Sequence, residues 1–521
     1  MTEKHHGLVR AAGSMSVMTM LSRIAGYFRD NLQADILGAA NSSDAFIIAY
    51  RIPNMLRRLL AEGALTSAFV PTFARYVKGE DRRAAWRLAA SVLYVLTAIL
   101  AAIVALGVLF SPWVVRMLAW GFGELPEKFD LTVSLNRLMF PYIFFISLAA
   151  LATGILNSFD VFALTAFTPV LLNLAIIGSA LALRHRFPDP AYGFAIGVIV
   201  GGFLQLAVQV PSLVRLGMDF RLPRPLDRQG LREIGRLFLP RLFGVGITQV
   251  NLVIDSQFAT SLRSGSVSFL YYAIRVTELT LGVFAISLST VILPTLSRAT
   301  AERDRALVVD TLQTAMRLLV FVTVPATVGL IVLRWPIIHV LFERGRFTAE
   351  DTTFTAGALA FYAIGLLPYA AVNVQAAAFY AHRDTRTPVK VGILTFFLHL
   401  GLNFALRGPM GHNGIALSTS LSALADSALL AWLLRRRAGE YLDRGVLIST
   451  GRTLAASTVM AAGLLMAGSV VPIQALHGTV AKAGVLGALI AGGGGIFLLV
   501  SYLLGGEEVR LLRAFFVRTR A

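Results

Sequence analysis

The sequence contains no cysteine. That excludes a disulfide framework, a thiol nucleophile and a zinc–thiolate site. Charge is also scarce: Asp, Glu, Lys and Arg make up 15% of the 521 residues, where a soluble domain carries about a quarter. There is no P-loop, no dinucleotide fingerprint, no H-E-x-x-H and no credible Ser/His/Asp arrangement. The chain therefore reads as a non-enzyme. Without a nucleotide site, any transport would run on a gradient or a potential. No A-x-A site follows the charged start, so no cleavable signal peptide is expected.

Apolar sequence takes the place of these features. Hydrophobic residues make up 56% of the chain and mean hydropathy is +0.70. They come in long runs, such as SVLYVLTAILAAIVALGVLF at 91–110. A helix needs about 20 such residues to cross the hydrocarbon of a bilayer. Fourteen spans are expected near 9–37, 43–74, 86–111, 133–158, 160–184, 190–214, 232–261, 266–297, 309–333, 352–380, 387–406, 413–434, 447–471 and 481–504. The fold class is an all-α polytopic membrane protein, and no room is left for a soluble catalytic domain.

The net charge of +18 would ordinarily suggest a nucleic-acid partner, but its distribution argues against one. Basic residues gather in alternate loops: Arg75 to Arg87, Arg215 to Arg228, Arg298 to Arg305, Arg383 and Arg386, Arg435 to Arg444, and Arg510 to Arg520. The intervening loops are poorer: 38–43 and 472–480 have none, and 262–265 has Arg263. This is the positive-inside pattern. It places both termini in the cytoplasm of a multi-pass protein, with anionic membrane lipids as the partners of the basic loops.

Three matches recur at nearly one offset. VPTFAR at Val70 resembles LPTLSR at Leu293, Thr168-Pro169 recurs as Thr387-Pro388, and YGFAIG at Tyr192 resembles NGIALS at Asn413. The offset covers six spans, an even number, so the repeats are parallel. Such lobes rock about a site near the membrane midplane. The expected organisation is an N-lobe over 1–216, a linker over 217–231, a C-lobe over 232–437, and two added helices with a basic tail over 438–521.

Charges inside spans are expensive and mark a bundle interior or a wet cavity. Here they are Arg23, Arg29 and Asp30 in span 1; Asp44, Arg51, Arg57, Arg58 and Glu62 in span 2; Asp255 in span 7; and Arg275 and Glu278 in span 8. Six residues separate Arg23 from Arg29, which leaves them about 120° apart on a straight helix. A bend at Gly26 would turn both guanidiniums toward one cavity. Arg57, with Arg275 from the second lobe, would complete a ring suited to a multiply charged anion, because guanidinium forks match phosphate oxygens. Local ion pairing is the alternative: Arg29 with Asp30 or Asp44, Arg58 with Glu62, Arg275 with Glu278. Gly193, Gly197 and Gly201 read as close helix packing. The run of four glycines at 492–495 fits either packing or a flexible point.

The stretches MTMLSRIAGYFRD, SDAFIIAYRIPNMLRRLLAEGALTSAFVPTF, LFERGRFTAEDT and AAAFYAHRDTRTPVKVGI together resemble the MviN/MurJ family of bacterial lipid II flippases. The resemblance spans almost the whole chain in order. It implies membership of the multidrug/oligosaccharidyl-lipid/polysaccharide superfamily, with two six-helix lobes and two extra C-terminal helices that form a groove for a polyprenyl tail. It implies undecaprenyl-diphosphate carrying the peptidoglycan disaccharide-pentapeptide as substrate, the bacterial cytoplasmic membrane as location, and the cell-wall synthesis machinery as protein partner. The family's essential arginines fall on Arg23, Arg29, Arg57 and Arg275, and an acidic position falls on Asp44. Glu278 belongs to the same substrate-binding set. For some members the resemblance also implies a sodium ion between spans 7, 11 and 12. Asp255 and Asn403 match that site, whereas Arg407 stands where a carboxylate would be wanted. No cofactor is expected otherwise, and coupling falls to sodium or the membrane potential.

The expected function is therefore lipid II translocation by alternating access, with the diphosphate held by an arginine-lined cavity. A cation-coupled drug antiporter of the superfamily would need an acidic cavity, whereas this one is basic. Another polysaccharide-lipid flippase shares the same physics. A membrane glycosyltransferase would need a catalytic carboxylate constellation that the chain lacks. A scaffold would tolerate alanine at every cavity arginine.

Overall fold

The computed structural model describes residues 3–58, 65–79, 82–223, 225–476 and 478–509, and among them regular structure is helical throughout. Contacts divide the chain into two compact units, Met1–Ser268 with Arg344–Phe347, and Phe269–Glu343 with Thr348–Ala521. The first unit contains α1 (Glu3–Leu37), α2 (Asn41–Arg57), α3 (Thr66–Lys78), α4 (Arg82–Leu109), α5 (Ser111–Leu118), α6 (Pro126–Met139), α7 (Tyr142–Ser158), α8 (Phe162–Leu183), α9 (Ala191–Ala207), α10 (Val210–Arg215) and α11 (Arg228–Thr260). From the first turn of α12 (Ser266–Ala301) the chain passes into the second unit. There follow α13 (Arg305–Val332), α14 (Arg334–Phe342), α15 (Ala349–Ile364), α16 (Leu366–Ala381), α17 (Arg386–Met410), α18 (His412–Ala438), α19 (Arg444–Val470) and α20 (Thr479–Leu503).

Ten helical stretches among the described residues are long and apolar enough to cross a membrane. The other four expected spans correspond to α1, α2 with α3, α11 and α12, and these carry the intramembrane charges. Three expected spans are interrupted among the described residues, one of them span 6, split into α9 and α10 at Val208-Gln209. Span 4 is split into α6 and α7 at Phe140-Pro141, where proline removes a helical donor. Span 10 is split into α15 and α16 at Gly365. The sequence repeat has a structural counterpart: α8 packs closely on α9, and α17 closely on α18.

The unit boundary falls later than the expected lobe boundary, because α11 is held by the first unit. Arg75 pairs with Glu233, the Trp120 indole N–H donates to the Gln257 carbonyl at 3.0 Å, and the Arg51 guanidinium donates to the Ser256 hydroxyl. The core of the first unit is built around Tyr142, Phe194, Ala45 and Ala195, all fully buried. Gly197 and Gly201 permit this packing: a Cβ on the first would press on the Ile176 backbone, and on the second against Leu172.

A loop carboxylate shapes the second unit. Asp384 Oδ1 accepts the N–H groups of Arg386 and Thr387, both at 3.0 Å, which caps the start of α17. Its Oδ2 accepts the Thr387 hydroxyl at 2.7 Å and the Arg437 guanidinium. The Thr387 bonds, with Arg437 beside them, hold the Asp384 carboxyl down at about 2. A depressed acid stabilises the fold above its unfolded value and loses that contribution as pH falls through its folded value. The second unit should therefore lose stability between about pH 4 and pH 2. Thermal unfolding of the detergent-solubilised protein should show a shallower acid dependence in that window for Asp384→Asn.

Candidate functional site

Helix α1 carries the first two candidate arginines. It runs through Gly26 as one continuous helix. Arg23 is exposed and has no hydrogen bond or ion pair among the described residues. Arg29 is largely buried, with 13% of its side chain accessible. Its Nε and Nη2 both donate to Asp30 Oδ1, at 3.0 and 2.6 Å, and its Nη1 donates to Asn173 Oδ1 at 3.0 Å. Asn173 in turn donates to the carbonyls of Ser22 and Pro169, each at 3.2 Å, and so ties α8 to α1. Gly26 faces this amide with room for a methyl group, so packing alone does not demand glycine there. The local pairing of Arg29 with Asp30, weighed as an alternative, is thus present.

Arg57 ends α2, half-buried, with Nε donating to Asn54 Oδ1 at 3.0 Å. Arg58 follows it, and its expected partner Glu62 lies outside the described residues. Asp44, at the other end of α2, is almost wholly buried and fully engaged. Lys128 Nζ donates to its Oδ2 at 2.7 Å and the Gly265 N–H to the same oxygen at 2.8 Å. The Ser268 N–H and hydroxyl donate to its Oδ1 at 2.9 and 2.6 Å. The carboxylate thus serves the first turn of α12, whose amide donors have no helical acceptor. In this arrangement Asp44 pairs with Lys128 and the α12 terminus, not with Arg29.

The segment Arg344–Phe347 also belongs to the first unit. The Arg344 guanidinium donates to Asn31 Oδ1 at 2.8 Å, and the Arg346 N–H to the Asp35 carbonyl at 2.9 Å. Gly38 and Gly345 meet at this junction with φ of +65° and +54°, a conformation that a side chain would strain.

In the second unit, Arg275 Nη1 donates to Glu278 Oε2 at 2.9 Å, and its guanidinium lies 4.9 Å from the Tyr271 ring centre. The i,i+3 pairing raised from the sequence is present here too. Asp255 and Asn403 fall in different units. Asn403 is fully buried; its Nδ2 lies 3.0 Å from His399 Nε2, and His399 Nδ1 lies 3.3 Å from the Ser422 hydroxyl. Beside Asn403 there is thus a ring nitrogen, and Arg407 follows one turn on. Among the described residues no group of three or more His, Asp or Glu is placed to hold a metal.

The second unit also contains an apolar groove of about 370 Å³. It is lined by Thr280 of α12, Pro325, Gly329 and Leu330 of α13, Ile337 of α14, Met460 and Leu464 of α19, and Ile490, Gly494 and Phe497 of α20. The glycine run resolves here. A Cβ on Gly493 would come 3.0 Å from Leu464, so this glycine serves close packing, whereas Gly494 borders open space.

Sequence reasoning missed Lys128, Asn173, Arg344 and His399. Lys128 lies in PEKFD, which resembles an ordinary polar loop. Its one signal is a lysine four residues before Thr132 on an otherwise half-apolar helix.

The family described as Lipid II flippase MurJ matches residues 33–484. The probable lipid II flippase MurJ of Vibrio cholerae is 36% identical over 505 residues, covering 96% of both chains. The lipid II flippase MurJ of Burkholderia cenocepacia is 37% identical over 434 residues, covering 82% of this chain and 84% of that one. Among solved structures, a lipid II flippase MurJ in an inward closed conformation superposes with a TM-score of 0.76 at 26% identity, covering 96% of this chain and 99% of that one. An inward-facing multidrug transporter of the MATE family reaches 0.67 at 15% identity over 83% of this chain and 99% of that one, a likeness of fold alone.

Proposed function

The chain belongs to the MurJ family of lipid II flippases, and on that premise we propose how it moves its substrate. It is a transporter that flips lipid II, the undecaprenyl-diphosphate-linked peptidoglycan precursor. In our reading it works by alternating access in the bacterial cytoplasmic membrane, with both termini in the cytoplasm. The diphosphate is gripped by Arg23, Arg29 and Arg57 of the first unit, whose forks match phosphate oxygens. Asp30 holds the Arg29 fork until the diphosphate displaces it. Arg275, held by Glu278 in the second unit, is a further anion ligand of the cycle. Asp44 acts as a positioning residue. An inside-negative potential favours outward movement of the charged headgroup by about 2.3 kcal/mol per charge per 100 mV. The flipped precursor passes to the cell-wall synthesis machinery.

The observation that carries this division of labour is the groove of α13, α14, α19 and α20, an apolar channel on the two added helices, in a different unit from the arginines of α1 and α2. A polyprenyl chain gains about 0.8 kcal/mol per buried methylene from such a surface only where water is displaced, so in lipid the groove acts by shape. Gly494→Leu, whose Cβ would meet no atom within 4 Å and whose side chain would intrude on the groove, should lower lipid II export severalfold at unchanged protein level and melting temperature.

The test is depletion of the native gene and rescue with the wild-type chain, Arg29→Ala or Arg57→Ala at matched levels, with lipid II assayed on the outer leaflet. Loss of exposure with normal total lipid II supports the reading. Normal exposure with both variants contradicts the assignment of these arginines.

A further inference from the structure

The two added helices are held at one end by polar contacts. The Ser449 hydroxyl donates to the buried Glu508 carboxylate at 2.7 Å, the Arg452 guanidinium to the Gly505 carbonyl at 2.9 Å, and Arg317 lies 3.6 Å from Glu507. The other end of α20 is held differently. Lys482 Nζ lies 2.9 Å from His339 Nε2 on α14. His339 is buried, with the Trp335 ring stacked on it at 4.6 Å. Its Nδ1 lies 2.8 Å from Glu343 Oε2, a close contact short of hydrogen-bond alignment. Glu343 Oε2 also accepts the Thr352 hydroxyl at 2.6 Å, which joins α15 to the chain.

We propose that Lys482, His339 and Glu343 form a positioning latch that pins the outer end of α20 to α14 and opens when the imidazole gains a second proton. This rests on the reading of the adjoining groove as the polyprenyl site. An ammonium only donates, so Nε2 must accept and the single ring proton sits on Nδ1, beside the Glu343 carboxylate. A second proton on Nε2 would face the Lys482 ammonium, and two donors cannot share that contact. Imidazole is the side chain that changes charge between about pH 5 and 8.

The charged neighbours leave this contact as the switch. On α14 itself, Arg334 is turned to the Ile331 carbonyl. At the start of α15, Asp351 is committed to the Thr348 capping box, with Glu350 beside it. The C-terminal half of α13 carries no titratable residue. Ile337 of α14 and Ile490 of α20 both line the groove, so the latch sets its width at this end while the opposite end stays fixed. The consequence is a groove that loosens as the medium around His339 acidifies.

The absence of cysteine makes the test direct. Spin labels at Arg334→Cys and Val480→Cys, both exposed positions, report the distance between α14 and α20 in the full chain in nanodiscs. The distribution should be narrow at pH 8 and broad and longer at pH 5. His339→Gln keeps an acceptor for Lys482 without titrating and should stay narrow at both pH values. Lys482→Met should be broad at both. A native distribution unchanged between pH 8 and 5, or a narrow one in Lys482→Met at pH 8, overturns the latch. The readout needs no substrate, so it fails or succeeds independently of the flippase reading.

Discussion

Arg29→Ala should weaken binding of lipid II to the purified protein by about ten- to a hundredfold, the effect of losing hydrogen bonds to a charged partner worth roughly 1.5–3 kcal/mol. The difficulty is that Arg29 already serves Asp30 and Asn173. Removing it leaves Asp30, itself buried, without its cation. A structural penalty would then imitate a functional one. The double substitution Arg29→Ala/Asp30→Asn separates the two. If the arginine exists to neutralise Asp30, the double variant regains binding as well as stability. If it grips diphosphate, stability returns and binding does not. Arg29→Lys should fall between, because an ammonium keeps the charge and loses the fork. Isothermal titration with lipid II, beside melting temperatures of the same samples, reads both quantities.

Asp44→Ala should be the most destabilising single substitution in the first unit. It strips the first turn of α12 of its acceptor and leaves Lys128, 4% exposed, as a buried cation. Breaking a buried pair from one side costs about 3–5 kcal/mol. The Phe122 ring, 4.3 Å from Lys128 Nζ, offsets only part of that. The partner substitution tests the cause: Asp44→Asn/Lys128→Met removes both charges and should recover most of the stability lost in Asp44→Ala, measured by thermal unfolding in detergent. A double variant as unstable as the single one would mean that Asp44 acts through contacts other than Lys128.

The contrast between these two residues shows what the sequence could reveal. Hydrocarbon imposes run length, so the ten long apolar stretches could be read from it. Charge inside a span is costly enough that Arg29, Asp44 and Arg275 identified themselves without any structure. Their partners did not. Whether Asp44 meets Arg29 or Lys128 depends on the rotation of packed helices, and Lys128 lies 84 residues away on a helix that reads as loop. Asn173 was hidden for the same reason, as an amide in an apolar span. The breaks at Pro141 and Gly365 sit inside unbroken apolar runs, which fix length and leave continuity open. The assignment of α11 to the first unit follows from contacts such as Trp120 with Gln257, which no periodicity encodes. The choice of lipid II over another diphosphate-linked glycolipid came from the family resemblance, because an arginine fork reads phosphate and is blind to the sugar beyond it.

If, as we propose, arginines of the first unit carry the diphosphate of lipid II across the membrane, their loss should stop its transfer between leaflets. Fluorescent lipid II in proteoliposomes, with an inside-negative potential imposed, reads that transfer. The wild-type chain should transfer it, and Arg23→Ala/Arg29→Ala/Arg57→Ala, folded by its melting temperature, should not rise above protein-free vesicles. Transfer by that triple variant at the wild-type rate would contradict the account.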